Sequence, residues 1–169
     1  MSGTLIPNGE YPAVRMERVL KDPPSVVWSA LTEPDGLAGW FPCGIVVAGG
    51  AWRVGARLTF PFPSDVIEMT LEGEVLVVDE PHSLAYTWGG DTLRFELHER
   101  DGGTLLVLIN ELPKSTAARN AAGWETCLDR LIGLEPHDDA WRGSFEDYTK
   151  AFEPQLGPQE GPPEGYKGD

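Results

Sequence analysis

The longest periodic pattern of apolar positions along the chain lies in residues 115–135. Its apolar side chains recur at alternating spacings of four and three residues, at Ala117, Ala121, Trp124, Leu128 and Leu131. Side chains at this spacing share one face of an α-helix, so the pattern predicts one long amphipathic helix. Because this face is small at its start and carries one large indole, we expect it to leave a lined cavity when it packs on a curved sheet.

Strict alternation of apolar and polar residues, typical of strands with one face toward a core, dominates the chain before this helix. The alternating runs are residues 14–20, 58–62, 69–77, 84–88 and 93–97, and a further strand-like run spans residues 104–112. The last run is apolar on both faces, which predicts an inner strand, and Gly73 interrupts the third run, which indicates a bulge or a bend. Tight turns between the later runs predict an antiparallel meander, and a meander of this size twists and curls.

Prolines mark the predicted helices outside the long one. The first short helix is predicted to begin at Pro23, with Asp22 as its N-cap, and to end at Pro34, because proline suits a helix start and stops a preceding turn. The second is predicted at residues 36–41. After Pro136, a further amphipathic stretch predicts a C-terminal helix that docks on the domain. Its aromatic side chains are Trp141, Phe145, Tyr148 and Phe152.

Composition divides the chain into three regions. Residues 1–12 mix Gly, Pro and polar side chains and predict a flexible leader, whereas residues 13–152 carry the periodic patterns and predict one folded domain. Residues 153–169 are rich in Pro and Gly and predict a disordered tail. The length of 169 residues and a hydrophobic content of 41% suit a single domain with its own core.

Charge and targeting signals narrow the partners and the compartment. The 13 Lys and Arg residues stand against 27 Asp and Glu residues, a formal charge of −14 that disfavours nucleic acid and membrane surfaces as partners. No secretory leader or membrane-spanning apolar run is visible, so we expect a cytoplasmic protein. Cys43 and Cys127 lack metal-site spacing and are predicted to be free thiols.

Two stretches resemble a known family. Residues 27–41, with the sequence VWSALTEPDGLAGWF, resemble the helix-pair signature of proteins similar to the C-terminal domain of the activator of heat-shock protein 90 ATPase. Gly123, Trp124 and Glu125 resemble the closing helix of that family, which belongs to the START-like, or SRPBCC, superfamily. The resemblance implies an α+β helix-grip fold (START-like, Bet v-like). In this fold a curved antiparallel sheet of about six strands wraps around a long C-terminal helix, with two short helices after the first strand.

Candidate ligand contacts follow from the predicted inner faces. The apolar and aromatic candidates, for each of which plain core packing is the alternative, are Trp40, Phe60, Met69, Tyr86, Trp88, Phe95, Trp124 and Leu128. Polar groups that could orient a ligand are Tyr86, Asn110, Arg94 and Glu111, with a hydrogen-bonded or exposed strand residue as the alternative for each. The inward or outward direction of Asn110 stays open, because an apolar run on both faces does not fix the parity of its strand.

These observations favour a non-catalytic protein that binds a small hydrophobic or amphipathic molecule. We predict no catalytic residue, no metal site and no cofactor, since the chain lacks a Gly-rich phosphate loop and the H-E-x-x-H and G-x-S-x-G motifs. The resemblance implies one alternative, a cyclase, dehydratase or hydrolase acting on a polyketide-like or aromatic substrate. Another alternative is an interaction protein, either a co-chaperone-like factor or a homodimer built on the aromatic side chains of the C-terminal helix.

Overall fold

One curved, open, antiparallel sheet of eight strands organises the computed structural model, which describes residues 1–167. The strands are β1 (Thr4–Ile6), β2 (Ala13–Leu20), β3 (Val46–Val47), β4 (Arg57–Pro61), β5 (Thr70–Asp79), β6 (Ser83–Trp88), β7 (Asp91–Arg100) and β8 (Gly103–Glu111). Their order across the sheet is β1-β2-β8-β7-β6-β5-β4-β3. The helices are α1 (Pro24–Thr32), α2 (Pro34–Ala38), α3 (Ala117–Leu131) and α4 (Ala140–Leu156). The predicted α+β helix-grip fold is confirmed, with two short edge strands beyond the six predicted.

The prediction that residues 104–112 form an inner strand is confirmed. β8 pairs with β2 on one side and β7 on the other, so all its backbone groups can enter ladders. Leu106 and Leu108 are buried on the concave face, toward the helices. On the convex face Val107 is also buried, although its neighbours across the two ladders are Glu17 and Glu96.

Gly73 is required by a close backbone approach, not by a bulge. A Cβ built on this residue would overlap the carbonyl oxygen of Thr87 on β6 and lie 2.9 Å from the ring of Phe60. The irregularity in the β5–β6 register falls further along, between Val75 and Val77. The bulge predicted at Gly73 thus lies a few residues further along, because a missing side chain serves close packing as well as backbone distortion.

The long helix is shorter than the pattern predicted. A 3₁₀ turn at Lys114–Thr116 precedes α3, and Gly133 follows it with a φ of 87°, a conformation that ends helices and favours glycine. The buried positions of α3 are Ala117, Ala118, Ala121, Ala122, Trp124, Cys127 and Leu128. These residues lie on more than one face of the helix. Both faces are buried, because α4 packs on the outer side of α3 and the sheet lies on its inner side.

The predicted C-terminal helix exists and packs within the chain. Tyr148 and Phe152 are buried with ring centroids 5.3 Å apart, and Trp141 stacks on Phe145 at 5.1 Å. Two of the four aromatic side chains assigned to a homodimer contact are thus used by the monomer's own core. Only Trp141 and Phe145 stay partly exposed, and the homodimer remains a prediction.

Both ends of the chain are more ordered than composition suggested. Thr4–Ile6 pairs with the backbone edge of β2, so the leader contains a strand. α4 continues to Leu156, and Gln159 then donates to the Lys114 carbonyl and accepts from the Ala118 N–H. Local composition missed these contacts because they are tertiary. Residues 168 and 169 of the predicted tail lie outside the described residues.

A helix that crosses a membrane must be both long and apolar. No helix within residues 1–167 meets these two conditions.

Candidate functional site

Four aromatic rings from separate elements meet at one end of the groove between α3 and the sheet. The Trp88 indole, at the end of β6, lies 5.5 Å from the Trp124 ring on α3, 6.2 Å from Phe41 and 6.1 Å from Phe62. Phe41 also lies 5.7 Å from Trp124. We call Phe41, Phe62, Trp88 and Trp124 the Trp88 cluster. It brings together two predicted ligand contacts, Trp88 and Trp124, with two residues that sequence reasoning had not selected.

The remaining aromatic candidates form a packed layer deeper in the core. Phe60, Tyr86 and Phe95 are at most 1% exposed, and the Tyr86 ring lies 5.8 Å from Phe60 and 6.1 Å from Phe95. Trp40 packs edge-on against Phe95 at 6.0 Å, and its indole N–H donates to the Ala30 carbonyl at 2.9 Å. Burial raises the pKa of Tyr86 well above its usual value, so its phenol is neutral. These rings hold the fold together.

Met69 lies outside the regular strand predicted for it, whereas Leu128 lies on α3 as predicted. Met69 lies just before β5, half-buried, where its carbonyl accepts from the Phe62 N–H at 3.0 Å. The alternation pattern included it in the strand, but the regular ladder begins one residue later, at Thr70. Leu128 is fully buried on α3 as a core residue.

The hollow expected beside the small residues of α3 is filled by side chains from the segment after α2. Phe41 lies against Trp124, and Trp40 lies against Phe95 beneath it. Both residues are less than 10% exposed. The sequence pattern could not show this, because the helix and the two side chains that fill the space beside it are about 80 residues apart in the chain.

A surface pocket adjoins the Trp88 cluster. It has a volume of about 330 Å³ and is lined by Pro34, Leu37, Ala38, Phe41, Pro42, Cys43, Gly44, Ile45, Val46 and Pro63. We call it the α2 pocket. Its wall carries no charged side chain, and Phe41 belongs both to this wall and to the Trp88 cluster.

The indole N–H of Trp88 is a buried donor without an acceptor. Its Nε1 atom is buried and has no hydrogen-bond partner within residues 1–167. An unpaired buried donor costs about 1–3 kcal/mol. The nearby polar group is the Cys43 thiol, whose pKa burial raises to about 12 while the Trp88 N–H opposes the shift. A neutral thiol is a weak acceptor, so this contact does not replace a full hydrogen bond.

A polar network borders the cluster on its other side. Asn110 on β8 faces inward and is fully buried, and its Oδ1 accepts from the Trp124 indole at 3.0 Å and from Asn120 at 3.3 Å. Its Nδ2 lies 3.3 Å from Asp91 Oδ2, to which Asn120 also donates at 3.0 Å. Burial raises the pKa of Asp91 to about 6, against the opposing effects of Asn110, Arg119 and Asn120. Sequence reasoning missed Asp91 and Asn120, because a turn aspartate and a polar helix residue look like surface groups.

The side chains of Arg94 and Glu111 do not reach this network, although the Glu111 carbonyl accepts from Asn110 Nδ2 at 3.2 Å. Arg94 alternates with the buried Leu93 and Phe95 on β7, so it lies on the convex face of the sheet, and Glu111 is exposed at the end of β8. Of the four polar candidates, only Tyr86 and Asn110 face the core. The donors and acceptors of Asn110 are engaged within the protein, so it acts as a structural link between α3 and the sheet.

Two other features are less suited to a ligand. A second groove of about 480 Å³ lies at the C-terminal end of β2. Its wall includes Lys21, Arg100 and Asp101 and no aromatic side chain. Cys127 is buried, and burial raises its pKa to about 12, which leaves it a neutral thiol.

Among residues 1–167, no group of three or more His, Cys, Asp or Glu side chains is placed to hold a metal ion.

Comparison with known proteins gives one family match and several similar structures. The sequence profile of the family described as activator of Hsp90 ATPase homolog 1-like protein matches residues 21–134. A conserved protein of unknown function from Enterococcus faecalis is 24% identical, with 88% of this chain and 89% of that chain covered and a TM-score of 0.74. The crystal structure of CalU16 from Micromonospora echinospora is 21% identical over 92% and 94% of the two chains, with a TM-score of 0.64. At these identities the likeness shows the fold.

An AHSA1-like protein from Aeromonas hydrophila is also similar in structure. It is 21% identical, with 82% of this chain and 92% of that chain covered and a TM-score of 0.59. Among curated protein sequences, none matches this chain.

Proposed function

Because the chain belongs to the activator of Hsp90 ATPase homolog 1-like protein family, we propose that it binds a small, mostly apolar molecule at the α2 pocket and the Trp88 cluster. One observation carries the proposal: Phe41 is shared by an uncharged surface pocket of about 330 Å³ and a cluster of aromatic rings behind it. Pockets of roughly 300–1,000 Å³ with apolar walls and few polar groups are the usual sites for small molecules.

Entry to the site depends on a small rearrangement. Phe41 occupies the space that a ligand ring would take beside Trp124, while Trp40 next to it is held by its hydrogen bond to Ala30. A ligand that displaces Phe41 toward the pocket would replace one set of aromatic contacts by another. The net cost of opening is therefore smaller than that of creating an empty cavity.

Filling the α2 pocket tests this proposal directly. Ala38 is exposed and lines the pocket, so Ala38→Phe places a ring in it without changing a core side chain. The matched control is Val19→Phe, which puts the same ring into the second groove. The neutral fluorescent probe N-phenylnaphthylamine should bind the wild type and Val19→Phe alike, and Ala38→Phe at least about tenfold more weakly. Equal binding by all three proteins, or by none, would reject the site.

The enzymatic alternative would need a polar group that is free to act on a substrate at this site. The polar groups nearest to it are the neutral phenol of Tyr86, the amide of Asn110 and the carboxyl of Asp91, and the last two are hydrogen-bonded within the protein. General acid–base catalysis needs a group within hydrogen-bond reach of the substrate. We therefore derive no reaction, and both the enzyme and the co-chaperone-like alternative stay predictions from the sequence.

A further inference from the structure

We propose that the unpaired indole N–H of Trp88 anchors the ligand by donating a hydrogen bond to the oxygen of a neutral, planar aromatic carbonyl compound. This inference rests on the ligand-binding function proposed above and names the chemistry of its ligand. The juxtaposition that carries it is a buried donor without an acceptor, set among aromatic rings and beside an uncharged pocket.

The chemistry of the indole sets the first requirement. The Nε1–H group is a donor and cannot accept, so any partner must bring an acceptor. The other buried indole of the cluster shows the contrast, because the N–H of Trp124 is already paired with Asn110 at 3.0 Å. Among the described residues, Trp88 is thus the member of the cluster whose donor meets nothing stronger than the neutral Cys43 thiol.

Charge sets the second requirement. The lining of the α2 pocket contains no Lys or Arg side chain, and the carboxyl of Asp91 stands opposite Trp88 in the β6–β7 hairpin. The chain as a whole carries a formal charge of −14. An anionic ligand would lose its hydration without gaining a counter-charge, which favours a neutral carbonyl oxygen over a carboxylate.

The shape of the cluster sets the third requirement. The rings of Phe41 and Phe62 lie within 6.2 Å of the Trp88 ring, at spacings typical of tilted aromatic pairs. A flat aromatic ligand can take the place of Phe41 and keep such contacts. Its carbonyl oxygen would then meet the indole N–H near the neutral Cys43 thiol.

A matched pair of ligands tests the inference. Fluorenone and fluorene share one flat skeleton and differ in a carbonyl oxygen, so the ratio of their dissociation constants isolates the effect of that oxygen. The variant Trp88→Phe keeps a ring but removes the donor. We expect it to reduce the preference for fluorenone over fluorene by about tenfold relative to the wild type. The control Trp52→Phe, whose indole N–H is bonded to the Thr32 carbonyl, should leave the preference unchanged.

A spectroscopic reading supplements the affinities and does not depend on a variant binding well. The indole proton of Trp88, identified by its loss in Trp88→Phe, should move downfield in the NMR spectrum of the wild type with fluorenone and not with fluorene.

The outcomes separate this inference from the function on which it rests. If both compounds bind and the preference is the same in Trp88→Phe, the anchoring role is wrong while ligand binding stands. If neither compound binds but N-phenylnaphthylamine does, the ligand class is wrong. If none of the three binds, the proposed function fails and this inference fails with it.

Discussion

The indole N–H of Trp124 donates a 3.0 Å hydrogen bond to Oδ1 of Asn110, which joins the long helix α3 to the inner strand β8. Both residues are at most 2% exposed. The two residues that extend the contact are Asn120, one turn earlier on α3, and Asp91, at the start of β7. A single buried amide thus links the helix, the inner strand and the hairpin that carries Trp88.

Replacing Asn110 should destabilise the protein strongly. Asn110→Ala would leave the Trp124 N–H and part of the Asn120 amide without partners in a buried site. We expect a loss of about 2–4 kcal/mol in the free energy of unfolding, measured by urea denaturation. The comparison is Asn120→Ala, at a partly exposed position, which should cost less. A loss below about 1 kcal/mol for Asn110→Ala would show that the network relaxes without it.

The tail should stabilise the first turn of α3 through Gln159. Thr116 precedes this helix without a side-chain cap, and Gln159 Oε1 instead accepts from the Ala118 N–H at 3.0 Å. Removing a helix cap costs about 1 kcal/mol. Gln159→Ala should therefore lower stability by about this amount and speed hydrogen exchange at Ala118. Gln155→Ala, exposed at the end of α4, is the control, and equal exchange rates in both variants would contradict the capping role.

Much of the fold was visible in the sequence because its signals are local. The alternation from Leu58 to Phe62, the prolines at 23 and 34 and the helical spacing around Trp124 act within a few residues of one another. The direction of the Asn110 side chain was not visible in the sequence. In a strand that is apolar on both faces, the pattern does not show which residues point to the core. That direction is fixed by pairing, which places Asn110 opposite the buried Leu93 on β7.

The candidate site was predicted only in part, because it depends on contacts between distant segments. Trp88 and Trp124 were selected from their own elements, but their meeting with Phe41 was not. The pattern predicted an empty hollow because it showed the small residues of α3 without the ring that fills the space beside Trp124. The free donor of Trp88 is likewise a property of its surroundings and has no signal in the sequence.

The hydroxyl of Tyr148 should hold the N-terminal strand in place. It accepts from the Gly3 N–H at 2.7 Å and donates to the carboxylate of Glu125, which Arg18 and Ser2 also contact. Tyr148→Phe removes both bonds without changing the ring. We expect a loss of about 1–2 kcal/mol and faster hydrogen exchange in β1. Tyr11→Phe, at a residue 56% exposed, should change neither quantity, and an unchanged exchange rate in Tyr148→Phe would rule out the anchoring role.

The carboxyl of Asp91 should make stability fall as pH rises toward neutrality. Its pKa is raised from 3.8 to about 6 in the folded protein, chiefly by burial. A group whose folded pKa is raised contributes stability that is fully present below its unfolded pKa and is lost as pH rises through the folded value. Asp91→Asn keeps the shape and an acceptor oxygen but does not titrate.

The measurement is the difference in unfolding free energy between the wild type and Asp91→Asn at two pH values. Relative to the variant, the wild type should lose roughly 1 kcal/mol between about pH 5 and about pH 7.5, because the buried carboxyl ionises in that window. Other carboxyl groups, including Glu125, whose pKa is lowered, titrate alike in both proteins and cancel. The control is Asp101→Asn, in the exposed turn between β7 and β8. Its difference in unfolding free energy from the wild type should be the same at both pH values. A constant difference between wild type and Asp91→Asn across this range would mean that water or a local opening solvates Asp91.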